Sequence, residues 1–163
     1  MTPSTNTPIQ VFIEIEQGSD QKNEYDKQTQ SLQLDRVLSY PYVYPYAYGF
    51  IPNTLAEDGD ELDILVITQN DIPKNTHTDV YIIGALLMKD EKGNDHKILT
   101  VPIETYESGE IQSVYDLSSD ITESIQTFFA NYKKSDPGKW SKVDGFVDKH
   151  MAIQIYKNSL HTK

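Results

Sequence analysis

Asp58-Gly59-Asp60-Glu61-Leu62-Asp63-Ile64-Leu65-Val66-Ile67-Thr68 joins two kinds of chemistry in one stretch. Its second half, Leu62 to Thr68, is rich in Ile, Leu and Val and reads as a strand. Its first half, with Glu57 just before it, crowds carboxylates at the mouth of that strand. Such carboxylates repel one another, and hard cations such as Mg²⁺ or Ca²⁺ relieve the repulsion through oxygen coordination. An EF-hand loop fails on the residues. Counted from Asp58, Asp63 stands where glycine is required and Gln69 where the bidentate Glu belongs. For an isolated DxDxxD pattern, an ordinary acidic surface turn stays open as the plain alternative.

On either side of this stretch lie further strands. Val80 to Met88 is equally apolar, and Ile98 to Ile103 follows the turn signal Lys92-Gly93-Asn94-Asp95. Upstream, Val11 to Glu16 alternates, with Val11, Ile13 and Ile15 on one side and Phe12, Glu14 and Glu16 on the other, the pattern of a half-buried strand. Leu32 to Leu38 is the remaining candidate. Five short strands in a small chain predict a mostly antiparallel barrel or sandwich. The C-terminal third changes period: Ile121, Ile125, Phe128, Phe129 and Tyr132 form one helical stripe. Asp120 or a neighbouring serine caps that helix, and Pro137-Gly138 ends it. A second helix is expected from about Val147 to Leu160. The sum is an α+β domain, mainly β, with two helices laid against a barrel.

Between strands, Asp90-Glu91-Lys92-Gly93-Asn94-Asp95-His96-Lys97 reads as a hairpin. Alone it is a solvated turn, but its two aspartates could meet the first acidic cluster across a barrel mouth. Tyr40, Tyr42, Tyr44, Tyr46 and Tyr48 alternate with Pro41, Val43, Pro45 and Ala47, which puts five rings on one side of an extended chain and excludes a central strand. Basic residues are few. Lys22, Arg36, Lys97 and the pair Tyr132-Lys133 fall near the ends of predicted elements. The histidines His77, His96, His150 and His161 lack metal-ligand spacing and read as structural or exposed. No nucleophile elbow, Walker A loop or GxGxxG is present.

Composition narrows the classes. The 163 residues suit one domain, 1–163. With 14 basic and 25 acidic residues the net charge is −11, which opposes a nucleic-acid partner. No apolar run reaches membrane-spanning length, and the polar start of the chain lacks the basic and apolar regions of a secretory signal. Without such a signal the cytoplasm is the expected location, and the absence of cysteine excludes disulfides and thiolate metal sites. An acidic protein acting on an anion must gather its few cations in one pocket or recruit metal ions.

These segments together resemble the soluble family I inorganic pyrophosphatases of the compact bacterial type. Asp58-Gly59-Asp60-Glu61-Leu62-Asp63-Ile64 matches the family signature in full. In order along the chain, the other matches are Ile13-Glu14-Ile15, Lys22-Asn23-Glu24, Leu34-Asp35-Arg36, Tyr44 to Gly49, Lys89-Asp90-Glu91 with Gly93, Asp95 and Lys97, then Phe128-Phe129, Tyr132-Lys133 and Gly138-Lys139-Trp140. The chain departs from the family at Asn23, where an aromatic is usual. It also departs in Asn70 to Ala85, and in a Glu14-to-Lys22 spacing one residue shorter.

The resemblance implies a closed five-stranded antiparallel barrel of OB-like shape, and hydrolysis of magnesium pyrophosphate to two phosphates. It implies Asp58, Asp63 and Asp95 as primary metal ligands, Asp90 for a further ion, Glu24 for another through water, and Glu14 behind them. Asp60 is implied as the general base. Lys22, Arg36, Tyr48, Lys97, Tyr132 and Lys133 are implied as grips on phosphate oxygens, with Tyr44 near the nucleophile. Several Mg²⁺ per site follow, with Mn²⁺ or Zn²⁺ as substitutes, and so does homo-oligomeric assembly, a hexamer in bacterial members. A non-catalytic cation-binding barrel would share the acidic cluster but has no need for those lysines, Arg36 and tyrosines together.

Overall fold

Alternate residues of the apolar stretch Leu62–Val66 point to opposite sides, and both sides are buried. Ile64 and Val66 join one apolar cluster, Leu65 the other. A strand covered on both faces reads as an unbroken apolar run rather than an alternation. This strand, β5, lies in a ring with four others in a computed structural model that describes residues 6–57, 59–134 and 136–160. Around the ring come β1 (Ile9–Ile15), β4 (Ala47–Ile51), β5, β8 (Lys97–Pro102) and β6 (Thr76–Asp90), and β6 pairs again with β1. Four of these five contacts are antiparallel; β5 and β8 run parallel, with Asp63 opposite Lys97. An OB-like barrel is the result.

Two hairpin features extend the ring. β2 (Gln21–Asp26) and β3 (Ser31–Val37) form a separate two-stranded sheet. β7 (Gly93–Asn94) folds back on the end of β6. β9 (Ser141–Asp148) adds an antiparallel strand to β6. Three α-helices complete the fold: α1 (Ile103–Glu107), α2 (Ser119–Asn131) and α3 (Lys149–Ser159). α2 buries Ile125, Phe128 and Phe129 against the cluster that holds Leu65. α3 buries Ala152 and Ile153 against the other. Among the described residues no helix is long and apolar enough to cross a membrane.

The five-membered ring agrees with expectation, but one member differs. Leu32 to Leu38 supplies β3 of the outer hairpin, and the Tyr/Pro tract supplies β4 in its place. Pro41 and Pro45 precede the strand, so every residue of Ala47–Ile51 keeps an amide for the ladder. The tyrosines do not share one environment. Tyr44 and Tyr48 are buried, while Tyr40 is 96% exposed. β1 is buried on both faces, because Phe12 packs on Tyr25, Phe50 and His77 and Glu14 faces inward. β9 and the short α1 went unread: β9 has Gly145 mid-strand and little apolar alternation. Val147 and Asp148 belong to β9, so the last helix starts at Lys149, where Asp148 accepts a hydrogen bond from the Met151 amide at 3.1 Å. The cap of α2 is Ser118, one of the two alternatives.

β4 can approach β1 only because residue 49 is glycine. Gly49 pairs with Ile13, and a Cβ there would stand 1.8 Å from the Phe12 carbonyl oxygen. That obstacle is backbone and cannot swing aside. Gly49→Ala is expected to destabilise the protein by about 3 kcal/mol, measured as a lowered midpoint in urea denaturation.

Candidate active site

Strand register brings the charged groups together. The parallel β5–β8 pairing sets Asp63 beside Lys97. Lys97 Nζ donates to Asp63 Oδ2 at 2.8 Å, Asp95 Oδ2 at 3.0 Å and Tyr48 Oη at 2.9 Å. These acceptors use all three ammonium hydrogens. Burial by itself would lower the Lys97 pKa, but the negative charges of Asp63 and Asp95 outweigh it and hold the ammonium well above its ordinary range. Burial pushes the Asp95 carboxyl up to about 6 despite the pull of Lys97.

Similar pairings surround this one. Lys133 Nζ donates to Asp90 Oδ2 at 2.7 Å, with Glu91 at 3.7 Å. Burial pushes Asp90 up, but Lys133 and the Lys92 amide outweigh it and hold Asp90 below the usual range. On the outer hairpin, Lys22 Nζ donates to Glu24 at 2.7 Å and Asp35 at 3.2 Å. Arg36 is ion-paired with Asp136, and its buried Nε has no hydrogen-bond partner among the described residues. Glu14 Oε2 accepts from the Tyr25 amide at 2.8 Å, yet burial pushes its carboxyl up to about 8. Asp60 follows a turn in which Gly59 has φ +92°, the Gly59 amide donates to the Ala56 carbonyl, and the Ala56 amide donates to the Asp60 carbonyl. Asn94 Nδ2 donates to Glu57 Oε1 at 3.1 Å, which ties this acidic loop to the β6–β7 hairpin.

These groups line one polar cleft of about 330 Å³ at the barrel mouth. Glu14, Glu24, Asp60, Asp63, Asp90 and Asp95 face it, as do Lys22, Arg36, Tyr48, Lys97, Tyr132 and Lys133. The two acidic segments therefore meet at the barrel mouth, the encounter that the two aspartates of the Asp90–Lys97 hairpin allowed. Tyr44 does not line the cleft. Its ring is buried, 5.1 Å from that of Tyr48 and 4.7 Å from that of Phe128, because its side of the chain faces α2. Asp58 and His161 lie outside the described residues. Among the described residues no histidine lines the cleft; His96 Nδ1 instead accepts the Met88 amide. Asp35, Glu61, Glu91, Lys92 and Lys139 also line it and were missed as site residues. Asp35, Glu61, Glu91 and Lys139 sit inside segments already matched to the family; Lys92 carries no local signal beyond a turn.

An all-oxygen set of acidic donors suits hard divalent cations. Among the described residues no three acidic or histidine side chains gather around a single point. Even so, Asp63 and Asp95 already converge on one cation, the Lys97 ammonium. Buried Glu14 and Asp95, whose ionisation burial opposes, are groups that a bound cation would stabilise in charged form.

Fold and cleft define a class: a small OB-like barrel enzyme whose mouth mixes carboxylates, cations and phenols for a compact polyanion and its counter-ions. The chain belongs to the inorganic pyrophosphatase family, whose model matches residues 11–163. An inorganic pyrophosphatase of Nanoarchaeum equitans is 42% identical over 153 residues, covering 93% of this chain and 94% of the relative. That of Thermus thermophilus is 41% identical over 148 residues, covering 90% and 85%. The solved Helicobacter pylori inorganic pyrophosphatase superposes with a TM-score of 0.90 at 37% identity, covering 94% of this chain and 91% of that one.

Removing the shared ammonium leaves two carboxylates facing each other in a buried pocket. Lys97→Met is expected to cost about 3–5 kcal/mol in the metal-free protein, read from urea unfolding against wild type in chelator.

Proposed function

We propose that this cleft hydrolyses inorganic pyrophosphate to two phosphates, assisted by several divalent cations, Mg²⁺ foremost. One observation carries the reading: in a chain of net charge −11, Lys22, Arg36, Lys97 and Lys133 line one cleft, each paired with a carboxylate. Pairing lets an acidic protein keep four cations together without excess charge, and a phosphate oxygen offers each the same acceptor chemistry. A non-catalytic cation-binding module has no use for that arrangement.

Phosphoryl transfer from pyrophosphate demands charge neutralisation and in-line positioning more than covalent chemistry. Asp63, Asp95 and Asp58 would hold the primary metal ions, Asp90 and Glu24 further ones, and Glu14 would support them from behind. When bound, divalent cations lower the pKa of a coordinated water and offset the charge of the substrate. Asp60, at the mouth of β5, accepts the proton of the attacking water. Lys22, Arg36, Tyr48, Lys97, Tyr132 and Lys133 hold phosphate oxygens; the unpartnered Nε–H of Arg36 supports this assignment. Tyr44 backs Tyr48 from the core instead of touching substrate. Burial raises both tyrosines, so both stay neutral, and Tyr48 offers its O–H as a donor.

The same reading includes a single catalytic domain over 1–163, a cytoplasmic location, Mn²⁺ or Zn²⁺ as substitute ions, and a homo-oligomer, a hexamer by family resemblance. Exposed apolar side chains, such as Leu34 and Val37 at 56% each, favour contact between copies.

Phosphate release from pyrophosphate is expected with Mg²⁺ and none in EDTA; release that persists in chelator overturns the reading. Asp60→Asn should lower kcat by about 10²-fold or more while Mg²⁺ binding persists. Asp63→Asn should instead raise the Mg²⁺ concentration needed for half-maximal rate. Unchanged turnover in Asp60→Asn removes it from the base role.

A further inference from the structure

We propose that Lys27 and Glu61 form a positioning clasp that sets the spacing between the phosphate-gripping wall of the cleft and its acidic wall, an inference that rests on the pyrophosphatase reading above. Lys27 lies outside the cleft lining, and Glu61 lines the cleft but has no role assigned to it above. Lys27 Nζ lies 2.6 Å from Glu61 Oε2.

The two walls belong to different sheets. Lys22, Glu24, Asp35 and Arg36 ride on the β2–β3 hairpin, which is a two-stranded sheet apart from the ring. Asp60 rides on the lead into β5 and Asp63 on β5 itself. A two-stranded hairpin is marginal by itself and takes its position from what it touches. Near its middle the hairpin is held to β1: Asn23 Nδ2 donates to the Glu14 carbonyl at 3.1 Å, the Tyr25 amide donates to the Glu14 carboxylate, and the Tyr25 ring packs on Phe12. Beyond that point the chain reverses between Asp26 and Ser31.

At the tip the turn is well defined. Asp26 Oδ1 accepts from the Gln28 amide at 2.8 Å, and Gln30 takes φ +56°. Lys27 is thereby presented toward the acidic loop. Glu61 is held from the other side, because the next residue, Leu62, is 3% exposed in β5. Glu61 is also adjacent to Asp60 and two residues from Asp63, so the clasp fastens the tip to the segment carrying both acids. Hydrogen bonding and charge from Glu61 raise the Lys27 pKa, and Asp60 adds to that field. On the far side of the clasp a groove of about 550 Å³ runs between the hairpin tip and the turn at Gly59. Glu61 lines both the cleft and this groove, and Lys27 lines the groove.

Lys27 is 75% exposed and Glu61 21%, so the pair adds little to global stability. Its effect falls on the pre-organisation of the two walls that receive the substrate, and loss of pre-organisation costs binding. A clasp differs from a through-space field in sign. Lys27→Gln removes a positive charge near an anionic substrate and Glu61→Gln removes a negative one. A field effect moves their KM values in opposite directions, whereas loss of a clasp moves both upward.

The test compares Lys27→Gln, Glu61→Gln, the double variant and Lys27→Arg. Each single Gln variant should raise KM for pyrophosphate about fivefold, the scale of one surface ion pair, with kcat within about twofold of wild type. The double variant should be no worse than either single, and Lys27→Arg should match wild type. In metal-free protein, amide hydrogen exchange across residues 21–37 should quicken in the three Gln-bearing variants, with unfolding midpoints within about 2 °C of wild type. Opposed KM shifts, additive losses, or unchanged exchange overturn the clasp. Absence of pyrophosphate hydrolysis in wild type is a different failure, that of the functional reading itself.

Discussion

Burial of the Lys97 ammonium is the constraint on which the rest of the site depends. A buried cation is tolerable only when counter-charges and hydrogen-bond acceptors surround it, and here the carboxylates of Asp63 and Asp95 and the phenol oxygen of Tyr48 do so. Those acceptors come from three places in the chain: β5, the β6–β8 connection and β4. Satisfying one ammonium therefore requires the β4–β5 and β5–β8 pairings to be in register at once. The same requirement opens the carboxylates toward the cleft, so the interaction that stabilises the barrel mouth also creates its chemistry.

Around that centre the site repeats one device. Lys22, Arg36, Lys97 and Lys133 in the cleft are each paired with one or more carboxylates, and each pair joins separate elements or stiffens one. Lys133 after α2 meets Asp90 at the end of β6. Arg36 on β3 meets Asp136 beyond α2. Lys22 braces the outer hairpin through Glu24 and Asp35. These pairs do for the walls of the cleft what apolar packing does for its floor, where Tyr44, Tyr48, Phe128, Phe129 and Tyr132 form one aromatic stack against α2. Rigid aromatic packing beneath and exchangeable ion pairs above suit a site that must accept a polyanion and release two smaller ones.

Local chemistry was a good guide wherever one face of an element was decisive. The stripe Ile121, Ile125, Phe128 and Phe129 buried as a helix face should. The runs 62–68, 80–88 and 98–103 became ring strands. Local chemistry was a poor guide where tertiary partners decide. β4 hides in a Tyr/Pro tract, and is a strand because β1 and β5 flank it. β3 has the composition of a ring strand, but its only strand partner is β2. Tyr44 and Tyr48 share a spacing and a residue type, yet only Tyr48 meets the cleft. Asp35, Glu61, Glu91, Lys92 and Lys139 gave no sign of cleft exposure, because position in a motif does not say which way a side chain turns.

The sequence by itself determined the inventory: an acidic chain with its carboxylates concentrated in two short segments, a handful of cations, and apolar runs of strand length between them. Residue type and spacing are enough for that, because periodicity and charge are local properties. Only the tertiary structure decided that the two acidic segments share one ammonium, that Arg36 lies against Asp136, and that Lys27 reaches Glu61. Each of these contacts joins residues far apart in the chain, and their meeting depends on strand register and hairpin placement, which no local pattern encodes.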